Sequence, residues 1–405
     1  MRKLPVKITT FIALCLLLAG PLSAETLTLL DGRKIEGELQ AITPTGRLEG
    51  PGIPEGLVLD ALRGIQRAAT SDQSPPPRVI VQLHGGEVRA AGVTLADEKL
   101  HIAWPHGEPL VVPIDLVRAI RFDTETAGEL FDEALAKPSA EHDRLFVKID
   151  DRLQSLTGLV EKITDAEVVF EFDGQKRTLA RKQLYGIVVA QFNDADRKPP
   201  PCRLTLAGGS RLEGAVNSLA DGQLELALRG ETTVRVPLSS VERLEVRSSR
   251  MAFLSDLEPS EVEESALLTQ PSPWRRDRSV GGRPLSLTVQ ESSGAKQSVA
   301  TYEKGLGVHA RSRISFDIGG DYRQFAAEIG IDAETEGRGD CEFVVLGDGR
   351  ELYRQRVRGD DAPRKLQLDI QAVRNLTLLV EPGEDFDLAD HADWCDARLL
   401  RGAAP

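Results

Sequence analysis

The chain has 405 residues, a formal net charge of −13, 41% hydrophobic and only 5% aromatic residues. A charge of that sign repels phosphate backbones and anionic lipid, which argues against nucleic acid as a partner. The length calls for two or more domains, and few aromatics beside 36 glycines suit an all-β chain of many short strands.

The N-terminus has the layout of a secretory signal. Arg2, Lys3 and Lys7 form a positive region, 11–19 an apolar core, and Pro21-Leu22-Ser23-Ala24 a small-residue cleavage site. The apolar run is too short to anchor in a bilayer, and no later run reaches ~18 apolar residues. Cys15 follows Leu14 rather than the small residue of a lipoprotein signal. The expectation is a secreted or periplasmic protein cleaved near Ala24, with no transmembrane anchor and a mature charge of about −16.

From 25 to 250 the sequence repeats. Alternating apolar and polar residues run into a turn signal at 26–32, 79–86, 145–151 and 203–209, each reading as a strand entering a hairpin. A small residue follows in each unit, at Gly37, Ala91, Gly158 and Gly214, and then further alternating stretches. The starts are spaced 53, 66 and 58 residues apart, too irregular for a strict solenoid. The units resemble SH3-like or Sm-like small barrels, at 25–70, 78–123, 143–192 and 202–250. Units this small bury little core alone, so neighbours are expected to pack together. Pro-rich or polar linkers lie at 71–77, 124–142 (with a helix over 127–136) and 193–201. His84, His101 and His106 crowd the second unit, as turn or surface histidines or, if 84 and 101 share neighbouring strands, as a metal site.

An acidic, irregular stretch at 251–270 reads as a linker or partial helix. Alternating runs follow at 285–289, 312–318, 325–331, 341–346, 364–370, 376–380 and 397–400, with Asp348-Gly349 as a hairpin turn. Seven or eight short strands with Gly- and Asp-rich turns indicate a β-sandwich over 271–402. The fold class expected is therefore all-β, several small barrel repeats followed by a C-terminal sandwich. Of three cysteines beyond the signal, Cys341 and Cys395 share this domain and are the natural disulfide pair, two buried thiols being the alternative. Cys202 is left as a free thiol or an intermolecular link.

Three passages here resemble one family: 304–320 (KGLGVHARSRISFDIGG), 328–353 (EIGIDAETEGRGDCEFVVLGDGRELY) and 390–399 (DHADWCDARL). In that order they look like the NPCBM domain, the family 51 carbohydrate-binding module. The resemblance covers only the last third of the chain. It implies a galactose-binding-like, jelly-roll β-sandwich that recognises terminal galactose or related glycans, with a structural calcium ion in many members. Residue types suited to a sugar are His309, Arg338, Asp390, His391 and Trp394, which offer donor–acceptor forks and an aromatic face. His309, His391 and Trp394 serve equally as core residues. Six carboxylates, Glu384, Asp385, Asp387, Asp390, Asp393 and Asp396, could wrap calcium, as could Asp332, Glu334 and Glu336. The candidate metal set is Asp332, Glu334, Asp393 and Asp396. A solvated acidic face is the alternative.

No catalytic arrangement stands out. Gly305-x-Gly307-x-x-Ala310 matches a dinucleotide fingerprint but neither follows an apolar strand nor opens a helix. No G-x-S-x-G elbow occurs at Ser210, and nothing singles out a carboxylate pair. The sequence thus points to a non-catalytic carbohydrate-binding protein with the repeats as scaffold. The rival is a structural protein of the cell envelope that binds protein partners and has lost sugar binding.

Overall fold

The computed structural model describes residues 25–67, 76–124, 128–150, 152–191, 200–229, 232–266, 272–290, 297–384 and 386–402. The expected signal segment 1–24, parts of the expected linkers at 71–77, 124–142 and 193–201, and Asp385 lie outside them. No helix among the described residues is long and apolar enough to cross a membrane.

The third unit shows how each repeat is built. Strand Asp143–Ile149 turns into the 12-residue strand Arg152–Ile163, which bends. Its first half pairs back on Asp143–Ile149 and its second half pairs with Glu167–Phe172. Gln175–Ala180, a single 3-10 turn and Leu184–Val188 complete the unit. The glycine noted in the first, third and fourth units sits at the bend, where two layers touch; in the second unit Ala91 is exposed, and buried Ala90, opposite Val79, holds the equivalent position. A Cβ on Gly158 would lie 2.6 Å from the Glu171 carbonyl oxygen, and one on Gly214 would lie 2.3 Å from that of Ala227. The alternation puts one face inward, so Leu27, Val81, Leu145 and Leu204 of the four first strands are all buried in one shared core.

The bend leaves a main-chain N–H without a ladder partner, and residues at one equivalent position meet it. Asp143 accepts from Val160 and Ala190, both at 2.8 Å. Glu25 accepts from Leu39 at 2.7 Å and pairs with Arg67. Cys202 holds the same place in the fourth unit, beside the Val216 N–H. It is a buried free thiol, the first of the two states expected for it.

The units pair in a nested order. The last strand of the first, Leu62–Gln66, pairs antiparallel with that of the fourth, Val241–Val246, with Ile65 opposite Leu244. The last strands of the second and third, Val117–Arg121 and Leu184–Val188, pair likewise, with Ile120 opposite Ile187. Each pair has a second contact, Ile42 to Leu219 and Leu95 to Ile163. Arg211–Leu212 against Gly86–Glu87 ties the pairs together. The four units thus form one hydrogen-bonded network of 21 strands. The helix, Glu129–Ala136, covers the second junction with Phe131 against Phe146 and Tyr185.

The C-terminal third is a two-sheet sandwich. One sheet orders Arg275–Arg276, Gly305–His309, His391–Leu400, Gln324–Ile331 and Arg364–Asp369, and the other Glu261–Glu264, Ser312–Asp317, Asn375–Pro382, Asp340–Gly347 and Arg350–Arg358. Leu306, Phe316, Phe325, Phe343 and Trp394 fill the space between them. The two-stranded ribbon Leu285–Gln290 and Gln297–Tyr302 covers the outer face of the first sheet. Asp348-Gly349 forms the expected hairpin turn, with φ of 48° and 78°.

Three expectations are corrected. The stretch 251–270 is not a linker or helix: Met251–Phe253 pairs with His391–Leu400, and Glu261–Glu264 pairs with Ser312–Asp317, so it supplies an edge to each sheet. The last strand begins at His391 rather than 397. Cys341 and Cys395 are buried and are not joined by a disulfide. Cys341 points into the inter-sheet core, while Cys395, one residue after the inward Trp394, faces the ribbon on the opposite side of its sheet.

An ion network joins the repeats to the sandwich. Arg63 makes two bonds to Asp396, at 2.5 and 2.7 Å. Arg398 donates to the Leu30 and Asp31 carbonyls, each at 2.9 Å, and to Asp396 at 2.7 Å. All three cysteines are expected to resist a thiol reagent in the native protein and react together in guanidinium, equally with and without reductant. A thiol count that rises on reduction would show a disulfide instead.

Candidate functional site

The first and third motifs are neighbouring strands. Gly305 through His309 pairs antiparallel with Cys395 through His391, residue for residue. His309 therefore lies directly across from His391, their rings 5.7 Å apart and edge to face. The glycines allow close approach: a Cβ on Gly307 would sit 2.3 Å from the Arg278 carbonyl oxygen, so the loop 277–283 can lie against this strand.

The second motif meets the pair from the side. Gln324–Ile331 also pairs with the last strand and ends in a single 3-10 turn, Ala333–Thr335, capped by Asp332 through the Glu334 N–H at 2.8 Å. The turn aims Glu334 at His391, whose Nδ1 lies 2.7 Å from Oε1. Glu334 also accepts from the Ser279 hydroxyl at 3.0 Å and the Gly281 N–H at 3.1 Å. Burial acts to raise the Glu334 pKa, but His391 and these donors outweigh it and hold it below the ordinary value. The result is a carboxylate–histidine pair at the end of the sandwich, with His391 30% exposed and His309 buried behind it. Arg338, on the same turn, is exposed and anchored by its Nε on the Thr335 carbonyl at 3.0 Å.

Two of the residues proposed for sugar contact are structural. Trp394 is buried between Phe325 and Phe343 and presents no face to a ligand. Asp390 is fully buried and accepts the Asp340 N–H at 2.8 Å, closing the loop below the site. The sequence reading passed over Ser279 and Gly281, which hold Glu334. It also passed over Phe386 and Leu388, 58% and 49% exposed on the loop leading into His391. Two large apolar residues inside an acidic run were the signal available.

The carboxylates expected to bind calcium do not share a coordination shell. Both Asp332 oxygens accept hydrogen bonds, from Ser286 and Glu334, and both Glu334 oxygens are engaged as described. Asp396 faces Arg63 and Arg398 at the other boundary of the domain. Glu384 pairs with Arg356. Among the described residues no three His, Cys, Asp or Glu side chains are placed to hold a metal ion. Asp332, Glu334, Asp393 and Asp396 therefore do not form one shared set of ligands, Asp396 lying apart from the other three. In the second unit His106 is buried edge-on against Trp104, 5.2 Å between rings, while His101 is exposed, and the histidines form no metal group either.

Asp393 is the anomaly. It is fully buried facing Asp332, with the Ser286 N–H also close by, and neither of its oxygens has a well-formed hydrogen bond among the described residues. Burial pushes its pKa well above the ordinary value and Asp332 pushes it further, so it stays protonated where common carboxylates ionise.

Residues 250–400 match the NPCBM/NEW2 domain. The C-terminal third of this all-β chain is thus an NPCBM domain, a carbohydrate-binding module. A Renibacterium salmoninarum protein named "Putative endo-alpha-N-acetylgalactosaminidase" is 35% identical over 104 residues, 25% of this chain and 7% of its own length. The chain therefore spans a small part of that relative. Two solved Clostridium perfringens structures are also similar. CBM51 from GH95 in complex with methyl-galactose is 26% identical over 37% of this chain and 99% of its own, with a TM-score of 0.33. CBM51-2 in complex with GlcNAc and the INT domains of ZmpB is 23% identical over 44% of this chain and 36% of its own, with a TM-score of 0.34.

The Asp393 environment gives a pH signature. Between its ordinary and its raised pKa, folding takes up a proton, so this group's contribution to stability falls as pH rises, by ~1.4 kcal/mol per pH unit within that window. Asp393→Asn removes the titration. Urea denaturation is expected to show the variant gaining on wild type as pH rises above the ordinary carboxylate range; parallel stability curves would contradict the assignment.

Proposed function

We propose that this is a secreted or periplasmic, non-catalytic glycan-binding protein. Its C-terminal domain recognises terminal galactose or a related sugar, and its four N-terminal units are the scaffold that carries the domain. The observation that carries the reading is the NPCBM match over 250–400, whose motifs bring His309, Glu334 and His391 together at one end of the sandwich.

The chemistry supports it. Glu334 occupies Nδ1 of His391, which leaves Nε2 as the nitrogen to meet a sugar hydroxyl. Arg338 supplies a second set of donors on an adjoining turn. With Trp394 in the core, the exposed apolar surface beside the site is that of Phe386 and Leu388. Small planar polar groups beside apolar surface suit a pyranose, which has hydroxyl edges and a C–H face.

Titration of the full chain with galactose and with a panel of neutral glycans tests the proposal. Binding is expected for wild type, and both His391→Ala and Arg338→Ala are expected to weaken it roughly tenfold, the effect of losing one hydrogen bond to a charged group. Arg338 is exposed, so its variant keeps the fold. Failure of wild type to bind any neutral glycan would overturn the sugar assignment.

A further inference from the structure

The nested pairing leaves a groove of about 730 Å³ where the second and third units meet, within the range of ligand-binding clefts. Its walls are apolar, with Leu95, Leu116 and Val189 buried and Leu159 47% exposed. Its lining is acidic: Asp97, Glu98, Asp115, Glu141, Glu161 and Glu171 all border it, and of these only Glu161 makes an ion pair among the described residues, with Lys176. Arg229, reaching in from the fourth unit, is the one lysine or arginine among the lining residues.

The other junction shows what such an acid does when a chain reaches it. Asp60 and Asp115 hold the same place, the middle of the 3-10 turns Leu59–Ala61 and Ile114–Leu116 that precede the last strands of the first and second units. Asp60 accepts the Ser249 N–H at 3.3 Å and its carbonyl accepts the Ser248 hydroxyl at 2.6 Å. The segment that supplies these donors reads Arg247-Ser248-Ser249-Arg250. At the second junction the corresponding stretch, residues 189–191, lies in the groove wall. Gln191 turns its side chain to the Val117, Val189 and Ala190 carbonyls, and Asp115 receives no donor from it.

We propose that this groove is a docking site for an extended, lysine- or arginine-rich segment of a partner protein. Unpaired carboxylates concentrated in one concave surface attract a cation more strongly than the same charges spread out. Apolar walls between them suit a segment that alternates basic and apolar side chains, whose main-chain N–H groups can reach Asp115 as Ser249 reaches Asp60. The groove lies on the repeats and is independent of the sugar proposal.

The test uses the full chain and a fluorescein-labelled peptide KVKVKV, with EVEVEV as control, read by fluorescence anisotropy at near-physiological salt. The basic peptide is expected to bind and the acidic one not. Neutralising the rim with D97N, E98Q and D115N together is expected to weaken binding at least about tenfold. Leu159→Ser, at an exposed position, is expected to weaken it by a smaller factor. Neutralising E342Q and E351Q on the sandwich is expected to leave it unchanged, and an unaltered melting temperature checks the fold of each variant. No binding by wild type, or equal binding by the rim variant, or equal loss with the sandwich variant, would overturn the proposal.

Discussion

The strand His391–Leu400 is the element on which the C-terminal domain hangs, and one irregularity in it determines what each residue does. It pairs with Met251–Phe253, Gly305–His309 and Gln324–Ile331. Opposite Gln324–Ile331 the register slips by one residue between Ala326 and Glu328, where Asp396 adopts φ of 54°. Such a bulge reverses which residues face inward. Before it Ala392 and Trp394 enter the core; after it Ala397 and Leu399 do. Without the slip Arg398 would face the core, where an arginine has no partner. With it Arg398 and Asp396 project to the same boundary, and the repeats bind there.

That boundary couples two folds of different kinds. Arg398 is almost wholly buried, and burial lowers its pKa. Its position is tolerable because carbonyls of Leu30 and Asp31 and the Asp396 carboxylate surround it. Arg63 completes the neutralisation of Asp396 from the repeat side. Removing either arginine would leave Asp396 with only one of its two guanidinium partners at this interface. The domain carrying the candidate sugar site is thereby held in one orientation against the scaffold.

Much of this was legible in the sequence, for definite reasons. The four units show because strand alternation and a small residue near each bend recur; in the first, third and fourth units that residue is glycine because a side chain there would crowd its neighbours. The helix at Glu129–Ala136 and the Asp348-Gly349 turn follow from local chemistry. Motif order located the NPCBM domain. The chemistry of individual residues within the motifs was far less legible. Trp394, Asp390 and Cys395 are residue types common at sites, and which face of a strand each takes depends on pairing. The acidic run looked like one cluster, yet its members go to a buried loop, an Arg356 pair and the Arg63–Arg398 boundary. Nearness in sequence placed them together, and strand alternation with one bulge drew them apart.

By itself, then, the sequence determined the all-β class, the repeated units and the place of the carbohydrate-binding module, because these depend on local periodicity and on motifs that survive as strings. Only the tertiary structure decided that the units pair first with fourth and second with third, leaving an acidic groove. It alone decided that His309 faces His391 with Glu334 beside them, and that Cys341 and Cys395 look in opposite directions. Those outcomes depend on strand register and sheet order, which bring together residues that are distant along the chain and are therefore not encoded in any short stretch of it.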